Sequence, residues 1–89
     1  MKIEFDTGKR ADTLRKRGLD MAQAAEIFAA EIFTAEDIRV DYGEQRFMTI
    51  GSLEGRMVAL IWTPRGSARR IISLRKANER EQAQYDPPA

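Results

Sequence analysis

Five basic side chains, Arg65, Arg69, Arg70, Arg75 and Lys76, fall in a stretch that contains no acid, and Glu81 and Tyr85 follow shortly after. Guanidinium groups keep their charge and offer a planar fork that fits two phosphate oxygens, while Lys76 adds a point charge. A carboxylate such as Glu81 can accept a proton, and a phenol such as Tyr85 can donate one or stack on a base. Glu81 and Tyr85 are four apart, so on a helix they share a face with Ala77. Any one of these residues alone reads as a solvated surface charge or a packing residue. Tyr85 could lie on a sheet and Glu81 could pair with a neighbouring arginine. As a group, the basic run reads as a phosphate-binding surface.

The elements around this run must position it. Arg69 to Leu74 has strand character, with β-branched Ile71 and Ile72. Regular alternation sets Arg70, Ile72 and Leu74 on one side and Arg69, Ile71, Ser73 and Arg75 on the other. From Leu74 onward the residues favour helix, and Ser73 is the expected cap at that join. Arg75 would then stand at a strand-to-helix corner.

Upstream, Lys2 to Phe5 alternates as a short strand, and Asp6 and Gly18 bracket a basic surface helix over Thr7 to Arg17. Asp20 caps a second helix whose Met21, Ala24, Ala25, Ile27 and Phe28 form a core-facing stripe. Glu31 to Val40 reads as a short edge strand near Ile32-Phe33 and then an acidic loop. Gln45 to Ile50 is a strand, closed by a hairpin at Leu53-Glu54-Gly55. Met57 to Trp62 is apolar on both faces and so is the central strand, with Trp62 in the core. Pro64 and Gly66 turn the chain back into the Arg69 strand, and residues 85–89 read as a frayed tail. The expected fold is α+β in two layers, an antiparallel meander packed by two N-terminal helices with a helix at the C-terminus.

Composition narrows the chemistry. Eighty-nine residues with 43% apolar content suit a single globular domain over 1–89 with a small core. The absence of cysteine excludes disulfides and thiolate metal sites, and the absence of histidine removes imidazole as ligand or proton carrier. No metal or other cofactor is expected. No apolar run is long enough to span a bilayer, no leader pattern opens the chain, and a cytoplasmic location is expected. Net charge is +1, but the charges fall in blocks: residues 1–17 hold six basic and three acidic residues, 18–48 two and seven, 49–76 six and one. The acidic block from Asp20 to Glu44 suits RNA poorly and is expected to face away from the basic surface.

The ordered set Arg70-Ile71-Ile72-Ser73, Arg75-Lys76-Ala77, Glu81 and Tyr85 resembles the C-terminal signature of the BrnT family of ribonuclease toxins. Phe5-Asp6, Lys9, Leu14-Arg15-Lys16-Arg17-Gly18, Ala24-Ala25 with Phe28, Gly43-Glu44-Gln45-Arg46-Phe47, Ile50-Gly51, Thr63 and Arg65-Gly66 agree in order. The resemblance implies a RelE-like fold, metal-independent RNA cleavage that arrests growth, and neutralisation by a DNA-binding antitoxin called BrnA. On this resemblance Arg70, Arg75, Lys76, Glu81 and Tyr85 are the candidate catalytic residues. Lys9, Lys16, Arg17, Arg65 and Arg69 are the candidate substrate-binding residues. The family has Lys-His-Gly where this chain has Lys16-Arg17-Gly18, an Asn where it has Thr13, and a Phe where it has Met21. A module that binds RNA or protein without cutting is the alternative.

Overall fold

Asp6 accepts the backbone N–H of Lys9 at 2.9 Å, and Gly18 closes the same helix in the left-handed conformation at φ 68. These two signals produce α1 (Thr7–Arg17), which follows β1 (Lys2–Phe5). The computed structural model describes residues 1–39 and 41–85. The expected frayed tail, apart from Tyr85, and Val40 of the expected acidic loop lie outside them. Asp20 accepts the N–H of Ala22 and starts a 3₁₀ turn (Met21–Gln23) that runs into α2 (Ala24–Ala29). Met21, Ala24, Ile27 and Phe28 are buried, whereas Ala25 is exposed, so the apolar stripe omits that residue.

The strands β2 (Glu31–Glu36), β3 (Phe47–Leu53), β4 (Arg56–Arg65) and β5 (Ala68–Lys76) follow, and α3 (Glu79–Tyr85) ends the described chain. Glu54 and Gly55 both have positive φ, 51 and 79, and they form the two-residue turn whose twist suits a β3–β4 hairpin. The strands assemble in the order β1-β5-β4-β3-β2. The meander from β2 to β5 is antiparallel, as expected. The full sheet, however, is mixed, because β1 pairs parallel with β5 from Lys2–Ala68 to Phe5–Ile71. That pairing joins the two ends of the chain, and no local pattern reports it.

Helices cover both faces of the sheet, which corrects the two-layer expectation. On the first face α2 packs so closely over β3 that a Cβ on Gly51 would come within 2.8 Å of the Ile27 carbonyl oxygen. Leu19, Met21, Ile27, Phe28, Val58, Leu60, Trp62, Ile71 and Leu74 form the core on this side. On the second face, Phe33, Ile50, Ala59 and Arg75 lie side by side across β2, β3, β4 and β5. Tyr85 of α3 stacks on Phe33 with ring centroids 4.9 Å apart, and Glu81 bonds Arg75. The last helix thus spans that row, and Ile50 and Ala59 beneath it are fully buried.

Two expectations about β5 are corrected. Ser73 is not a helix cap; it lies within the strand opposite Ile61, and β5 runs on to Lys76. The cap is Asn78, whose Oδ1 accepts the Glu81 N–H at 2.8 Å while Glu81 Oε1 accepts the Asn78 N–H at 2.9 Å, a reciprocal capping box. The regular alternation also fails. Ile61 faces Ser73 and Trp62 faces Ile71, so Ile72 is an extra residue at a bulge. Ile71 and Leu74 therefore share the core face, at 2% and 0% exposure.

Candidate active site

The bulge at Ile72 decides which basic residues can act together. Without it, Arg70 and Arg75 would point to opposite faces, since they are an odd number of residues apart. With it, Arg70 (opposite Thr63), Ser73 (opposite Ile61) and Arg75 (opposite Ala59) all fall on the α3 face. Arg69, Ile71, Leu74 and Lys76 fall on the other. Bulges commonly serve to re-aim side chains beside active sites.

Arg75 is the most constrained of the cations. Its Nη1 and Nη2 donate to Glu81 Oε1 and Oε2 at 2.7 and 2.9 Å, and Nη1 reaches the Lys76 carbonyl at 3.4 Å. The Arg75 guanidinium holds the Glu81 carboxyl below its ordinary value; burial opposes this, and the Asn78 N–H and the Arg39 charge add to it. The same bond raises Arg75. Glu81 is therefore ionised at neutral pH, with both oxygens occupied, and is a weak base. It orients the fork of Arg75, which among the described residues keeps its Nε–H and one Nη2 hydrogen available.

This pair borders a cavity of about 300 Å³ shared with Ala35, Glu36, Asp37, Ile38, Arg39, Met48 and Asn78. Glu36 and Asp37 belong to the acidic block, so that block does not all face away from the basic strand. Asp37 accepts Arg39 Nε and Nη2 at 2.8 and 2.9 Å. Arg39 faces the Arg75–Glu81 pair closely enough to influence both charges. Sequence reasoning missed Arg39 because it stands alone in an acidic stretch, with no neighbouring cation to mark it.

A second basic group lies beside α1. Lys9, Thr13, Lys16 and Arg17 recur at helical spacing and, with Asp12 and Met21, line a cavity of about 220 Å³ that reaches the β5 chain at Ile72 and Ser73. β1 stops pairing at Ile71, so the margin of β5 beyond it has no strand neighbour among the described residues. Arg17 Nη1 uses this vacancy and donates to the Leu74 carbonyl at 2.8 Å. Asp12, the carboxylate in the groove, is bonded by Arg15 at 3.0 Å and is held below its ordinary value by that bond and by the charges of Lys16 and Arg15. The groove remains net positive.

The remaining sequence candidates are dispersed. Arg69 lies over the rings of Phe28 and Trp62, 4.5 Å from each centroid, and closes the end of the core. Arg65 is at the end of β4, 3.8 Å from Glu44. Lys76 is exposed on the face of β5 away from α3, opposite Val58. Tyr85 packs on Phe33, and Glu81 pairs with an arginine, so the packing alternative read from the sequence holds for both. Six of the ten candidates thus form two groups, Arg70–Arg75–Glu81 on one face and Lys9–Lys16–Arg17 on the other, separated by the margin of β5. Among the described residues no helix is long and apolar enough to cross a membrane.

A small α+β domain with a basic, partly unpaired strand margin is suited to an anionic polymer. Residues 5–81 match the model of the BrnT family, described as the ribonuclease toxin of a type II toxin–antitoxin system, and the chain belongs to that family. The family implies an RNA target and an antitoxin partner. No curated protein sequence matches the chain.

Proposed function

We propose that this chain is a metal-independent endoribonuclease that arrests growth by cutting RNA in the cytoplasm and is silenced by a BrnA-like antitoxin. In this reading the RNA backbone crosses the margin of β5. Lys9, Lys16 and Arg17 hold phosphates on one side, and Arg70 and Arg75 offset the charge that develops on the scissile phosphate on the other. The 2′-hydroxyl gives its proton to water, and its oxygen bonds to that phosphorus as the bond to the 5′-oxygen breaks. A 2′,3′-cyclic phosphate forms, and the released 5′-oxygen takes up a proton from water. Glu81 positions Arg75, and Tyr85 anchors α3. Lys76, at the end of β5, adds positive charge near the same margin.

The observation that carries this reading is the bulge at Ile72, which sets Arg70, Ser73 and Arg75 on one face while Ile72 and Ser73 also line the α1 groove. The engaged state of Glu81 and the absence of imidazole favour slow turnover, since one positioned acid–base group is worth about 10²–10⁴ in rate. The same two features favour the second reading, an RNA-binding module that does not cut. Incubating purified protein with bare RNA in excess chelator and mapping the ends separates the two. Cyclic-phosphate ends support cleavage, whereas a retarded but intact RNA supports binding alone. Normal growth on expression of soluble protein would remove the toxin reading.

A further inference from the structure

The outer edge of the sheet, opposite the basic margin, carries little of the protection usual for an edge that must stay unpaired. β2 ends the sheet, and among the described residues no strand pairs with its outer side. Its sequence, Glu31-Ile32-Phe33-Thr34-Ala35-Glu36, contains no lysine or proline, two residues that usually guard such an edge. Its one irregularity is the extra residue Ile32 near its start, and Phe33 to Glu36 pair regularly with β3. Ile32, Phe33 and Ile38 are 45%, 39% and 81% exposed, and they are three of the five exposed large apolar residues among those described. Glu31 and Glu36 flank the strand, and neither forms an ion pair among the described residues.

We propose that the outer edge of β2 is a docking site for an extended segment of the antitoxin, apolar at its centre and basic at its flanks, which adds to the sheet as a further strand. Backbone pairing supplies affinity, Ile32 and Ile38 supply apolar contact, and the two glutamates supply charge complementarity. The same glutamates repel a phosphate backbone laid along this outer edge. A second copy of the chain is disfavoured as well. Antiparallel self-pairing centred on β2 sets Glu31 of one copy opposite Glu36 of the other at both ends, and like charges in that position repel. The inference rests on the reading above that a protein antitoxin holds this chain.

The test is amide hydrogen exchange on the chain alone and bound to the protein encoded by the adjoining reading frame. A Glu31→Lys/Ile32→Lys variant is measured in parallel for binding and for RNA cleavage. The expected result is exchange across residues 31–36 slowed at least about tenfold in the complex. The variant should bind at least about tenfold more weakly while its cleavage is retained. A complex in which these amides exchange at the free-chain rate overturns the docking site and leaves the toxin reading intact. Absence of any complex with the unaltered chain overturns both. Protection of the same amides in the free chain, rising with its concentration, would assign the edge to a second copy and overturn the antitoxin proposal.

Discussion

Arg75 and Glu81 join the last strand to the last helix through two parallel bonds of 2.7 and 2.9 Å, with Glu81 largely withdrawn from solvent. The cation proposed for the scissile phosphate is therefore also a fastening of the fold. Arg75→Ala is expected to abolish cleavage and also to lower stability by about 1–3 kcal/mol, because it leaves a carboxylate sheltered and unpaired. Glu81→Ala should cost a similar amount. In chemical denaturation the double variant should lose clearly less than the sum of the two. Full additivity would mean that the pair is not coupled.

Acid should weaken the fold through carboxylates held by arginines. Glu81 lies below its ordinary 4.5. Asp20, bonded twice by Arg10 and once by the Ala22 N–H, falls from 3.8 to about 2. For lowered carboxyls the stabilisation is fully present above the ordinary value and is lost as pH falls through the folded one. Thermal midpoints should thus be insensitive to these two groups above about pH 5 and should drop between there and about pH 2. Asp20→Asn and Glu81→Gln should each flatten that decline. An unchanged acid limb in both variants would contradict the assignment.

The buried hydroxyl of Thr49 accepts the Trp62 indole N–H at 2.9 Å and lies 2.8 Å from the Thr34 hydroxyl. Thr49→Val keeps the shape and strands the indole N–H, at an expected cost of about 1–3 kcal/mol. In a domain of this size that is a fall of several degrees in Tm, about 4–8 °C per kcal/mol. Trp62 is the single tryptophan, so its emission should report the lost bond directly. A Tm within about 1 °C of the parent would show that the bond contributes nothing net.

Arg17 donates to the Leu74 carbonyl and lines the α1 groove, at the position where the resemblance read from the sequence expects a histidine. Arg17→Ala should weaken RNA binding and reduce its salt dependence by about one counterion while cleavage persists. Arg17→His restores an imidazole at the margin of β5. It should raise the cleavage rate, with a new pH dependence near neutrality. Equal and small effects of both substitutions in folded protein would place the reaction elsewhere.

Local chemistry made much of this protein legible from its residues alone. Asp6 and Gly18 announced α1, the apolar run of β4 announced the central strand, and the ordered Arg, Glu and Tyr positions announced the family. These signals act within a few residues, through caps, alternation and turn conformations. The tertiary structure decided what depends on contacts between distant segments. It paired β1 with β5, laid α3 across the face opposite α2, and brought Arg39 from an acidic loop to the Arg75–Glu81 pair. It also inserted Ile72 as a bulge, and this changed the site most. One extra residue reverses every later side chain in a strand of period two. The sequence determined that Arg70 and Arg75 would lie near each other, and only the register against β4 determined that they would share a face.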